Sequence, residues 1–489
     1  MVSNVLLVVI DALRYDRTHR RSDVTPTLDA LANEGAMFTN AYSTANATDP
    51  AITSLHTGRY PLAHGIINHG SHVTEREKAN VERTPQFTEL LRDEGIHTSK
   101  IGRPLGRWHR RGFDVYPDIS RSHWGLKTFE KTVSRLLYDT HPRIGNSISQ
   151  TYNAVTGMFS PDEDESERLT EQLSIAVENE PFYACVHLMD THTPYSPDDD
   201  LVSEYLDRFN YDNVPLTELA SRFPPGSITR TSLTPGGVIN AGNNRWTDTE
   251  YEVGTALVQA QYDAAAHEAD AKLKRLIDEL DHGGILDETL LIVLSDHGES
   301  LNEHGIYFEH HGLYEPTIHI PLVIRAPHAS SRRIDELVQI TDIAPTVMES
   351  LSIEHTQPFD GQSLQPLIKA TEGWERRKGV IAEEANTQRR RMVRTTEWKL
   401  IAALEEDLTC RYCEVVHAPS EELYYLDDDP EEARNMVEED NESANRLRTL
   451  MTELVETRAK EGKQVCEAER TEYDDEKAMM DHLEALGYR

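Results

Sequence analysis

The sequence predicts an α/β protein: a large, mostly parallel central sheet flanked by helices, followed by a smaller α+β C-terminal subdomain. Three observations carry this. Short β-branched runs recur at residues 4–11, 182–189, 289–295 and 318–324. Helical patterns lie between them. From residue 388 the pattern changes to closely spaced strands and a charged helix.

In chain order, residues 4–11 read as a strand buried on both faces, with Asp11 at its carboxyl end, where open α/β sheets place functional groups. Thr25-Pro26 opens a helix that Gly35 closes, with proline at the position where its missing N–H costs nothing. Asp49 or Thr48 is the expected N-cap of a second helix, with Pro50 at its first position and Gly58 at its end. Residues 250–280 form a long helix rich in Ala, Leu and charge. Residues 391–404 and 422–426 read as strands and 442–460 as a helix. The chain therefore divides into a catalytic unit at 1–387 and a C-terminal unit at 388–489, whose acidic tail ends in a short amphipathic helix at 476–486. Residues 160–167 and 198–244, rich in acidic residues, Ser, Pro, Gly and Asn, read as excursions over the active-site face.

The 489 residues are 38% hydrophobic and 27% charged, which fits a soluble globular protein and neither a disordered chain nor a membrane protein. Asp plus Glu number 85 against 49 Lys plus Arg, and the resulting charge of −36 argues against a nucleic-acid partner. Only 12 of the cations are Lys and 37 are Arg. That balance resembles proteins of salt-accumulating halophiles, where molar salt shortens the Debye length to roughly 3 Å. Four scattered cysteines (Cys185, Cys410, Cys413, Cys466) fit a reducing interior better than a disulfide framework. The run Val5 to Ile10 lacks the basic flank and cleavage site of an export signal and is too short to span a bilayer. A cytoplasmic enzyme is expected.

Two strand ends present chemistry in the same way, at Asp11 and at Ser295-Asp296-His297-Gly298-Glu299. Two carboxylates and an imidazole converging at one sheet end make a divalent metal site, whereas either Asp alone serves equally well as a turn or cap residue. A helix starting near Thr48 gathers anions through its free N–H groups and dipole, so a hydroxyl there is placed to attack a phosphate or sulfate.

The span Thr48 to Arg59 resembles the sulfatase signature: a Cys or Ser, any residue, Pro, any residue, Arg, then Leu-x-Thr-Gly-Arg. Thr48 occupies the nucleophile position. Val9-Ile10-Asp11 with Arg14 and Asp16 looks like the family's first metal strand, and residues 95–103 resemble its second signature. The segment His187-Leu188-Met189-Asp190-Thr191-His192 is similar to its substrate-histidine segment. The most specific match is Ser295-Asp296-His297-Gly298-Glu299 with Glu303-His304-Gly305, Leu313-Tyr314-Glu315 and His319-Ile320-Pro321-Leu322. The resemblance implies the sandwich fold of the alkaline phosphatase superfamily, a metal-dependent nucleophile, and a small-molecule or glycan phosphate or sulfate ester as substrate.

Departures from the pattern choose between the esters. Sulfatases of the family convert Cys or Ser to formylglycine, and a threonine lacks that route. The Arg four residues after the nucleophile is Ile52, and the second of two adjacent Asp ligands is Ala12. The resemblance then implies one divalent ion held by Asp11, Asp296, His297 and the Thr48 oxygen, a mixed N/O set that suits Mn²⁺ or Zn²⁺ better than Ca²⁺ or Mg²⁺. A second ion, on Asp190, His192 and His310, is not expected. His192 and His310 are the candidates to protonate the leaving oxygen, with His310 at a family lysine position and His311 its neighbouring alternative. Arg103, with Arg107 as rival, and Asn68 are the candidate anion contacts. Cys410-x-x-Cys413 with His417 makes up three quarters of a zinc site, but a single CxxC reads as ordinary hairpin cysteines. The expected activity is a hydrolase or transferase in which Thr48 attacks a phosphate ester. Its rivals are a sulfatase working without formylglycine and an inactive binding protein.

Overall fold

Strand β1 (Asn4–Ile10) buries every residue because both of its faces are covered. Leu6, Val8 and Ile10 enter one apolar layer, and Val5, Leu7 and Val9 enter the other. The computed structural model describes residues 2–19, 21, 23–117, 165–193, 195, 197–207, 233–234, 238–239, 248–306, 311–385, 387–410 and 416–462. Residues 160–164 of the expected excursion at 160–167, most of that at 198–244, and the tail helix at 476–486 lie outside them, and residues 165–167 open a helix instead of continuing the excursion.

Six further strands complete the central sheet: β2 (Ala36–Phe38), β3 (His97–Gly102), β4 (Phe182–Leu188), β5 (Thr289–Leu294), β6 (Leu322–Arg325) and β7 (Arg332–Ile334), in the order β7-β2-β6-β5-β1-β4-β3. Every pairing is parallel except the two that β6 makes, with β2 and β5. The sheet is therefore mostly parallel, as the buried β-branched runs predict. The run at 318–324 is only partly strand: Glu315-Pro316 starts a short helix, Glu315–Ile318, and the ladder begins at Leu322 after Pro321, which has no N–H to contribute.

Helices α1 (Pro26–Glu34), α3 (Glu165–Val177) and α4 (Asp248–His282) cover one face through Leu28, Leu169, Leu173, Leu273 and Leu280. Helix α2 (Thr48–Thr57) and α5 (Ile343–Ser350) cover the other through Ala51, Ile52, Leu55, Ile343 and Val347. Thr25 makes no side-chain cap on α1. Asp270 of α4 does that work, accepting from the Thr27 amide at 2.8 Å and the Leu28 amide at 2.9 Å.

The C-terminal sheet is an antiparallel meander of β8 (Val380–Glu383), β9 (Arg390–Arg394), β10 (Trp398–Ala403) and β11 (Glu421–Tyr425). It takes in Val380–Glu383, just ahead of residue 388. One face packs Ile381, Val393, Leu400 and Leu423 against Ala444, Leu447 and Met451 of helix α6 (Asn441–Gly462). The other packs Val380, Met392 and Ile401 against Tyr42, Leu313, Tyr314 and Ile318 of the larger unit. Among the described residues no helix is long and apolar enough to cross a membrane.

Candidate active site

Strands β5, β1 and β4 are neighbours, and their carboxyl ends deliver Asp296-His297, Asp11 and His187 to one place. Ser295 Oγ joins the two loops, accepting from the Leu13 amide at 2.8 Å and reaching the Ile10 carbonyl at 2.7 Å. Ala12 is held at φ 57°, a left-handed conformation costly for a residue with a Cβ. In return its N–H donates to Asp296 Oδ1 at 3.2 Å, binding the two acidic loops together. A Cβ on Gly298 would stand 2.0 Å from the Pro316 carbonyl oxygen, so only glycine permits the chain to pass there.

Helix α2 begins at Thr48 itself, two residues before the Pro50 start that the capping pattern predicts, with Ala47 as N-cap and no side-chain cap bond. Both expected capping side chains are used elsewhere. Thr48 Oγ1 donates to Asp11 Oδ2 at 3.3 Å and stands 3.3 Å from His297 Nε2. Asp49 is drawn in the opposite direction: its Oδ1 lies 3.1 Å from His109 Nε2 and its Oδ2 2.9 Å from His69 Nδ1, and Oδ2 also accepts from the Gly70 amide at 2.8 Å. Burial would raise the Asp49 carboxyl, but the two imidazoles hold it well below the usual carboxylate range. The helix ends at Gly58, φ 63°, where a Cβ would strike the Phe359 ring.

Asp11, His187 and Asp296 each offer a ligand atom, and these atoms lie within 4.8 Å of one another, all buried. His187 Nε2 is 3.0 Å from Asp11 Oδ2, and His297 Nε2 is 3.6 Å from Asp296 Oδ2. Asp11 Oδ1 and Asp296 Oδ2 are buried without any hydrogen-bond donor, a costly arrangement for two carboxylates unless a cation compensates it. The His297 Nδ1 lies 2.8 Å from the Gly298 carbonyl. Assigning the proton to Nδ1 leaves the Nε2 lone pair aimed at the carboxylates, the usual orientation of a metal-ligating imidazole. Burial raises Asp11, yet His187 and the other nearby imidazoles bring it far below the ordinary carboxylate range. Burial and the Asp11 charge push Asp296 up. Burial lowers His297, but the two carboxylates outweigh it and the net shift is upward. A divalent cation fits this donor set.

The remaining expected residues divide. His192 is buried, and burial takes its pKa down to about 4 against the pull of Asp11. Its Nδ1 lies 2.5 Å from the Thr193 carbonyl. Asp190 is engaged by Lys272, whose Nζ donates to Oδ1 at 2.6 Å and also pairs with Glu165. Arg103 is half-buried at the end of β3, close enough to Glu165 to help lower that carboxyl after Lys272 has done so against burial. The Asn68 Nδ2 donates to Glu77 Oε2 at 2.9 Å. His311 stands in a different group, with its Nδ1 3.5 Å from Cys410 Sγ. His310 and Cys413 lie outside the described residues.

Sequence reasoning passed over His187, whose place inside an apolar strand gives it the look of a core histidine. Its signal is its position one residue before the end of a strand that runs parallel to the Asp11 strand, in register with Val9. His69 and His109, which hold Asp49, were missed for the same reason: each is buried and contributes through a contact distant in sequence.

Comparison with known proteins shows the family and the fold. The family described as Sulfatase matches residues 3–353, and the one described as N-sulphoglucosamine sulphohydrolase, C-terminal, matches residues 302–460. The chain is 23% identical to an ulvan-active sulfatase of Formosa agariphila, over 71% of this chain and 60% of that protein, so it spans less than two thirds of that relative's length. It is 24% identical to a choline-sulfatase of Rhizobium meliloti, over 89% of this chain and 82% of the relative. Among solved structures, the phosphonate monoester hydrolase of Agrobacterium radiobacter superimposes with a TM-score of 0.65 at 20% identity, covering 93% of this chain and 96% of that one.

Proposed function

The chain belongs to the sulfatase family, and from that premise we propose that it is a metal-dependent ester hydrolase in which Thr48 is the nucleophile and a phosphate ester the preferred substrate. The observation that carries this reading is the position of Thr48 Oγ1, 3.3 Å from both Asp11 Oδ2 and His297 Nε2 at the start of a buried helix. Asp11, Asp296 and His297 would hold the cation, with His187 against Asp11. Mn²⁺ or Zn²⁺ suits these donors. Bound there, it lowers the pKa of the Thr48 hydroxyl and neutralises the anion under attack.

The chain's own groups account for the rest. Thr48 donates to Asp11, which orients Oγ1 for attack; as the Oγ1–P bond forms and the ester P–O bond breaks, the hydroxyl proton is released to solvent. The product is a phosphothreonine, which water then hydrolyses, restoring the hydroxyl. With its Nδ1 proton directed to the Thr193 carbonyl and its pKa near 4, His192 is neutral in the free protein. It must take up a proton before it can serve the leaving oxygen, and the charge of an arriving ester favours that uptake.

The preference for phosphate rests on the absence of a formylglycine precursor at Thr48 and on Ile52, which is buried in the apolar layer where the family signature has an arginine. Steady-state comparison of aryl phosphates, phosphodiesters and aryl sulfates tests it, together with rapid-quench trapping of phosphate on Thr48. A faster reaction with aryl sulfates would assign the chain to sulfate chemistry without formylglycine.

A further inference from the structure

We propose a second metal site, separate from the Asp11 group: a zinc ion held by His311, Cys410 and His417. These three residues come from two parts of the chain, His311 from the segment before the Glu315–Ile318 helix and the others from the connection between β10 and β11. Their donor atoms lie within 4.8 Å of one another. Cys410 is fully buried, His311 nearly so and His417 half-buried. This reverses the reading of Cys410 as an ordinary hairpin cysteine, because that reading took no account of a histidine 99 residues earlier in the chain.

The spacing is that of ligands sharing one ion. Zinc bonds of about 2.3 Å to sulfur and about 2.05 Å to nitrogen, at a tetrahedral angle, place the two donors about 3.6 Å apart. The Cys410 Sγ to His311 Nδ1 distance is 3.5 Å. Two imidazoles on one such ion have ring centroids about 5.2 Å apart by the same geometry. Those of His311 and His417 are 5.5 Å apart, tilted at 64°. A thiolate with two imidazoles excludes the oxygen-seeking cations Mg²⁺, Ca²⁺ and Mn²⁺ and selects zinc among the common borderline metals. Among the described residues three protein donors meet at this point.

The location gives the ion a task. Gly312, next to His311, donates its amide to Glu384 Oε1 at 3.1 Å and accepts from Asn46 Nδ2 at 3.1 Å. Asn46 in turn accepts from the Ala385 amide at 2.8 Å and lies two residues before Thr48. An ion on His311, Cys410 and His417 would thus fasten the C-terminal unit to the segment that borders the nucleophile helix.

The test is a cobalt titration of the full chain in molar KCl after chelator treatment, since Co²⁺ reports on its ligands by absorption. The Asp11 group contains no thiol, so a thiolate-to-cobalt charge-transfer band reports on the second site alone, whatever happens at the first. The wild-type protein should show that band with the visible spectrum of a tetrahedral ion, and Zn²⁺ in excess of both sites should abolish the band. Cys410→Ser should lose the charge-transfer band, His417→Gln should weaken cobalt binding by more than about tenfold, and Cys185→Ala should retain the band. No thiolate band in the wild-type protein at saturating cobalt, or an unchanged band in Cys410→Ser, would overturn the proposal. The wild-type titration decides even where a variant fails to fold.

Discussion

The Asp49 carboxylate accepts a hydrogen bond from His109, Nε2 to Oδ1 at 3.1 Å, with both side chains buried and 60 residues apart in sequence. Through this contact the short helix Arg107–Arg110 fixes the residue beside Thr48, the proposed nucleophile. His109→Ala should therefore lower stability by about 1.5–3 kcal/mol, the usual worth of a hydrogen bond to a charged group. It should also lower kcat, by up to about 100-fold, since small misplacements of reacting groups cost that much. A variant with reduced thermal stability but unchanged kcat would show that the contact supports only the fold.

Metal removal should act on stability as well as activity. Without a cation, Asp11 Oδ1 and Asp296 Oδ2 remain buried with no donor, so the apo-protein retains an uncompensated penalty. Chelation by EDTA should abolish turnover and lower the calorimetric Tm, and Mn²⁺ or Zn²⁺ should restore both better than Ca²⁺. At a free metal concentration about 100 times Kd the gain is about 2.7 kcal/mol. His187→Gln separates a ligand from a supporting group: a loss of Mn²⁺ affinity within about 10–100-fold marks a residue that orients Asp11. Full activity in metal-free protein would remove the site assignment altogether.

What could be read from the sequence depended on how local the cause was. Strands such as β1 and β5 were legible because a strand buried on both faces must be apolar throughout. Asp11 and Asp296 stood out as the charged residues that end those runs. Asp49 was read as a cap because Asp before Pro is a strong local signal, and only the distant His69 and His109 explain why it serves another purpose. His187, and the meeting of His311 with Cys410, depend on strand order and on contact between the two sheets, which leave no mark on neighbouring residues. Thr48 is a candidate nucleophile only through its resemblance to a signature, for a threonine at a helix start is ordinarily a cap.

Acid sensitivity should trace in part to His64. It is fully buried, its Nδ1 accepts from the Ile66 amide at 3.1 Å, and its Nε2 lies 3.0 Å from Ser54 Oγ, an arrangement that requires the neutral ring. Burial takes its pKa from 6.5 down to about 3. Between those values the unfolded chain binds the proton and the folded protein does not. This contribution is therefore complete above pH 6.5 and is lost as pH falls toward 3. His64→Asn keeps an acceptor for Ile66 and cannot titrate, so it should be less stable at neutral pH. Its deficit should shrink by up to about 1.4 kcal/mol per pH unit on acidification. A deficit independent of pH in denaturant titrations would contradict the assignment.

The charge of −36 predicts a salt requirement. Carboxylates spread over the surface repel at long range in dilute buffer, and molar KCl screens them within roughly 3 Å. The unfolding midpoint should rise steadily from dilute buffer to molar KCl. A midpoint that stays constant would show that local ion pairs already balance the acidic surface.

The proposed role of Thr48 can be tested by its side chain alone. Thr48→Ala removes the oxygen that lies between Asp11 and His297 and should lose several orders of magnitude in kcat. Thr48→Ser keeps the hydroxyl and should keep measurable turnover, its deficit reflecting the lost methyl group that restricts the rotamer. Metal binding measured by calorimetry should survive in both, because Asp11, Asp296 and His297 remain. Thr48→Cys carries the sharper expectation. Ile52 stands where the family signature read by formylglycine-forming enzymes has an arginine, so the thiol should stay unmodified, as mass spectrometry of the intact chain would show, and aryl sulfate turnover should not increase. Thr48→Ala with wild-type kcat would remove Thr48 from the chemistry. A gain of sulfatase activity in Thr48→Cys without modification would show that the pocket, not the nucleophile, selects the ester.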